Sequence, residues 1–170
     1  GRMMARSMRY IQQRVGELTP YTQPMALVPT VSFELYPAAF FSDGPASNVG
    51  LFGHLEQSLG LETTVGDRRQ AASYSLLDVG FKARAPFETV TLHGLIQYRR
   101  QRFEAPEGAN VPSVDYRTAG AGVGIEWRRG AVSFGGQARY LLAISEGAIG
   151  DPDQHFRGGK TGAFHGEASV

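Results

Sequence analysis

Apolar and polar residues alternate with period two in several long segments of this chain. From position 51 one series reads Leu51, Gly53, Leu55, Gln57, Leu59, Leu61, and the other Phe52, His54, Glu56, Ser58, Gly60, Glu62. The pattern returns as Leu77, Val79, Phe81, Ala83, Ala85 against Asp78, Gly80, Lys82, Arg84. It returns again as Val90, Leu92, Gly94, Ile96, Tyr98 against Thr91, His93, Leu95, Gln97, Arg99. Successive side chains on a strand point to opposite faces, so period two predicts strands with one apolar and one polar face.

Extended along the chain, the same reading predicts about eight antiparallel strands. The first covers Met3 to Val15, with Arg6 interrupting its apolar side. Leu18 to Pro29 carries Pro20, Pro24 and Pro29 and reads as a loop. Strands then follow from Val31 to near Phe41, Asn48 to Val65, Gln70 to Ala85, Phe87 to Phe103, Val114 to Arg128 and Ala131 to Ser145. The last runs from Phe164 to Val170. Most have the roughly 9–11 residues that cross a bilayer obliquely. The connections near Ser42, Pro86 and Arg129 are short. Those at Leu18–Pro29, Glu104–Pro112 and Glu146–Phe156 are long, so short and long alternate. Tyr36, Phe40, Phe41, Tyr98, Phe103, Tyr116, Trp127 and Tyr140 fall toward strand ends.

Composition narrows the classes. The 170 residues suit a single domain spanning 1–170, with both ends read as cut. Hydrophobic residues make up 42%, and no window reaches the roughly 18–20 apolar residues of a membrane helix. A spanning barrel shows lipid only alternate residues, so this does not exclude a membrane. Net charge is +1, which offers no electrostatic case for nucleic acid. Absence of Cys excludes disulfide scaffolds and Cys-bearing metal sites. Glycine is abundant, 22 residues, and weakens ordinary strands. Tight curvature and close packing inside a narrow barrel give it a reason to be there.

With these elements in place, the chain resembles the outer-membrane β-barrels of Gram-negative bacteria over nearly its whole length. The strand pattern, the loop alternation and the aromatic strand ends carry the likeness. Phe33–Pro37 (FELYP) and Val114–Trp127 (VDYRTAGAGVGIEW) resemble small uncharacterised barrels of that kind. The resemblance implies an antiparallel up-and-down transmembrane barrel, placed in the bacterial outer membrane. Its implied partners are outer-membrane lipid or lipopolysaccharide and the barrel-assembly machinery. It also implies a terminal aromatic that this chain, ending Ala168-Ser169-Val170, lacks.

The polar face then becomes the expected lumen lining: Glu34, His54, Glu56, Asp78, Lys82, Arg84, His93, Gln97, Arg99, Glu126, Gln137, Arg139, His165 and Glu167. Its signs are mixed. In a barrel of about eight strands the interior is just filled by side chains, so opposite charges should pair into a plugged polar core or narrow pore. No catalytic residue, metal site or cofactor is expected. His54 and Ser58, like His165 and Ser169, are four residues apart on a strand, roughly 13 Å, and form no local dyad. Gly158-Gly159-Lys160-Thr161 lacks the first glycine of a phosphate loop, because Gln154 stands there. The Arg pairs at 68–69, 99–100 and 128–129 read as solvated turns before they read as headgroup contacts. Two alternatives stay open. One is a soluble lipocalin-like barrel holding a small apolar ligand, which requires the apolar face to point inward. The other is a lipid-modifying membrane enzyme, favoured only if His54, Ser58 or His165 meets a carboxylate.

Overall fold

A computed structural model describes residues 2–8, 21–65, 68–106, 113–145, 147 and 162–169. The described residues are mostly β, with 3-10 turns at Pro37–Phe40 and Pro45–Asn48 and a 3-10 residue at Gly147. Its strands are β1 Arg2–Met8, β2 Tyr21–Val28, β3 Thr30–Leu35, β4 Val49–Gln57, β5 Glu62–Val65 and β6 Arg68–Ala71. They continue as β7 Ser73–Pro86, β8 Val90–Glu104, β9 Val114–Arg129, β10 Val132–Ser145 and β11 Gly162–Ser169. The main sheet is antiparallel and seven-stranded, in the order β11-β10-β9-β8-β7-β4-β3. β1–β2 and β5–β6 form two-stranded sheets beside it.

Three expectations change. The sheet is open: among the described residues β3 and β11 are edges that do not pair with each other, so no closed barrel of eight strands is formed. Tyr21–Val28 is a strand despite Pro24. Its pairing with β1 slips between Met4 and Arg6, and this bulge takes up a residue that has no N–H to give. The expected long strands are broken. β3 ends at Leu35, before the 3-10 turn at Pro37–Phe40, rather than near Phe41; it parts from β2 at Pro29, and β4 and β5 part before Leu61, where Gly60 has φ +61°. β6 and β7 part at Ala72, whose N–H donates to the Leu61 carbonyl at 2.8 Å.

These breaks lie side by side, and the core forms there. Val28, Leu61, Tyr74, Leu76 and Phe103 are buried together, with Ala72, Ala105 and Val114 against them. Gly60 explains how Leu61 joins them. The turn resets the alternation, so Leu61 is buried while Leu59, two residues earlier, is exposed. Phe103, near the end of β8, also belongs to this core.

The polar face is the concave one. Arg139 on β10 reaches Asp78 on β7 at 3.2 Å, over β8 and β9. On a flat sheet three strand spacings would separate them by roughly 14 Å. Curvature brings them together, and the floor of β9 clears the path. Its residues on this face are Gly120, Gly122 and Gly124. A Cβ at Gly122 would press on the Ala138 carbonyl and the Arg139 stem, and one at Gly124 on the His93 ring. The convex face carries Val31, Phe33, Leu51, Leu55, Phe81, Ile96, Val123, Ile125, Leu142 and Ile144, all exposed.

Candidate functional site: the charged concave face

The sequence-predicted polar residues share one side of the sheet, and register sorts them into three groups. The first centres on Asp78, 2% exposed. Arg99 donates to its Oδ2 from Nε (3.1 Å) and Nη2 (2.7 Å). Arg139 Nη1 and Gln97 Nε2 donate to the same oxygen at 3.2 and 3.4 Å. Arg139 Nη1 also donates to Gln97 Oε1 at 2.9 Å. A buried carboxylate is costly without partners, and here two guanidinium groups and an amide supply them. Asp78 Oδ1, by contrast, is buried and has no hydrogen-bond partner.

The second group lies one strand away. His54 on β4 stands opposite Ser32 on β3 and Asp78 on β7. Ser32 Oγ is 2.8 Å from His54 Nδ1, and His54 Nε2 is 2.9 Å from Glu56 Oε1. The Tyr74 hydroxyl donates to Glu56 Oε2 at 3.1 Å. Glu56 is as buried as Asp78, whereas Ser32 is exposed. Strand geometry accounts for the assembly. His54 and Glu56 are two apart on β4 and share a face, while pairing with β3 brings Ser32 directly across. Ser58 is not part of it, since its Oγ accepts the Tyr74 backbone N–H at 2.8 Å.

The third group lines a cavity of about 410 Å³ at the end of the sheet that carries the short turns. Lys82 Nζ pairs with Glu34 at 3.0 Å, and Arg128 with Glu126 at 3.0 Å. Arg84 lies over the Tyr36 ring, 3.9 Å from its centroid, and donates to Asn48 Oδ1 at 3.3 Å. Tyr36, just past β3, also donates to Glu34. Burial, then the Glu34 carboxylate, push its phenol above the ordinary range, so it stays a neutral donor. His93 lines the same cavity.

His165 stands opposite Arg139 and Glu167 opposite Gln137 by backbone register. His155 and the Gly158–Thr161 segment lie outside the described residues. Sequence reasoning missed Ser32 as the partner of His54 and Tyr74 as the partner of Glu56. Alternation put Ser32 on the polar face, but only the β3–β4 register joins it to His54. On the other face, Arg100 and Arg117 flank Asp115 past the end of the apolar residues, with bonds of 2.8 and 3.2 Å. No group of three or more metal-ligating side chains is present among the described residues. No known protein family, curated protein or solved structure matches the chain.

Proposed function

We propose that the chain is a bacterial outer-membrane β-barrel protein, its convex face toward lipid and its charge-paired concave face toward a narrow lumen, in a structural, binding or small-pore role. One observation carries this reading: the residues that water would drive inward are the exposed ones. A soluble sheet protein buries its apolar face, and a contiguous exposed apolar surface marks a contact with membrane or partner. Here that surface runs along β10 from Val132 to Ile144. This is roughly 40 Å of strand. At the roughly 45° tilt of a spanning strand it covers about 28 Å of bilayer, near the roughly 25 Å band of such barrels. Phe40, Phe41 and Phe87 are exposed around the short-turn end, where Trp127 stacks on Phe134 with centroids 5.7 Å apart. Aromatics gather at that level in spanning barrels. Closure would come from the free edges of the sheet. The lipocalin-like alternative needs an apolar interior, which the buried Asp78, Glu56 and Gln97 do not provide.

The test is extraction and gel migration. The protein should require detergent and migrate differently before and after boiling. Complete solubility of the folded chain in plain buffer overturns the reading. Planar-bilayer conductance then separates an open pore from a plug.

A further inference from the structure

The geometry points to a nucleophilic serine at Ser32, activated by His54 and Glu56 for hydrolysis of carboxylic esters. Two observations carry it. Ser32 Oγ and Glu56 Oε1 sit on opposite ring nitrogens of one imidazole, at 2.8 and 2.9 Å. With Glu56 ionised, its carboxylate can only accept, so Nε2 carries the ring proton and Nδ1 turns its lone pair to the Ser32 hydroxyl. A nucleophile in reach of a base, itself oriented by a third group, is the arrangement such chemistry needs. The burial gradient also runs the right way. Glu56 is held inside by Tyr74, His54 is half-buried and Ser32 is exposed on the edge strand β3.

The step balances without any co-reactant but water. Ser32 Oγ bonds to the ester carbonyl carbon as its proton passes to His54 Nδ1. Collapse of the adduct breaks the bond to the alcohol oxygen, which takes that proton and leaves. Water then attacks the acyl carbon while giving a proton to Nδ1. The carbon–Oγ bond breaks, the proton returns to Oγ, and the acid departs. Glu56 balances the imidazolium at each protonated stage. Nothing is oxidised or reduced.

The test combines labelling with turnover on the folded full chain. A fluorophosphonate probe, mapped by peptide mass spectrometry, should modify Ser32. Hydrolysis is followed on p-nitrophenyl butyrate in solution and, in a second arm, on a diacyl phospholipid in mixed micelles. Turnover in either arm supports the assignment and identifies the ester as soluble or lipid-borne. Ser32→Ala should lose the label and at least about 100-fold in rate, with an unchanged far-UV circular dichroism spectrum. Glu56→Gln should slow both, and Ser58→Ala should keep both. Labelling elsewhere, a Ser32→Ala protein that turns over normally, or no label and no hydrolysis in either arm overturns the proposal.

Discussion

At the scale of single residues, Asp78 joins two guanidinium groups on the concave face. Removing it leaves Arg99 largely buried without that counter-ion and takes one partner from Arg139. Asp78→Ala should therefore cost about 3–5 kcal/mol in urea unfolding. Because the loss is of compensation rather than contact area, replacing Asp78, Arg99 and Arg139 together by apolar residues should cost less than Asp78→Ala alone. Asp115 behaves differently, being part-exposed beyond the apolar residues of the convex face. Hydrogen bonds from Arg100, then Arg117, hold its carboxyl at about 2, below the ordinary aspartate range. A depressed carboxyl contributes stability that is complete above the unfolded pKa and disappears as pH falls through the folded one. Acid titration should thus show its contribution fading between about pH 4 and 2, and Asp115→Asn should flatten the stability curve there. An unchanged slope in the variant would remove Asp115 from the account.

At the scale of elements, faces were legible and breaks were not. Leu55 and Glu56 fall on the sides that alternation assigns, because a strand's period of two is imposed by backbone pleating and needs no partner. Leu61 does not, since one positive-φ glycine resets the count. Pro24 misled in the opposite direction. A proline argues against a strand until a bulge in that strand, set by its pairing, takes it out of the ladder, and pairing is invisible in a single segment. The same limit hid Ser32. Its polarity and its face could be read, but its neighbour on the next strand depends on register, which the lengths of distant turns decide. The convex face yields a sharper test of environment. Val123 and Ile96 are 68% and 60% exposed. In water Val123→Arg should change stability by no more than about 0.5 kcal/mol. In a bilayer it should cost about 2–4 kcal/mol, measured as the shift in folding free energy into lipid vesicles. A neutral result in vesicles would count against lipid contact at β9.

At the scale of the molecule, an inverted arrangement holds the sheet together: charge and a small apolar cluster inside a curve, hydrocarbon outside. Absence of cysteine makes this directly addressable. Single cysteines at Ile96 and Val123 should resist a water-soluble maleimide when the protein sits in vesicles. Cysteines at Lys82 and Arg84, lining the polar cavity, should react with it. Equal labelling on both faces would mean that no bilayer covers the convex side.

The glycine floor of β9 has a consequence for mutational tolerance. Gly120, Gly122 and Gly124 alternate with Ala121, Val123 and Ile125, and the two sets answer to different constraints. On the concave side even one added methyl meets a neighbouring carbonyl or the side chain of Arg139 or His93, so size is forbidden. On the convex side there is room for larger side chains, Val123 being 68% exposed. A library covering every substitution in this strand should give a sawtooth of fitness with period two. Across residues 120–125 each inward position would reject alanine, and each outward one would accept leucine.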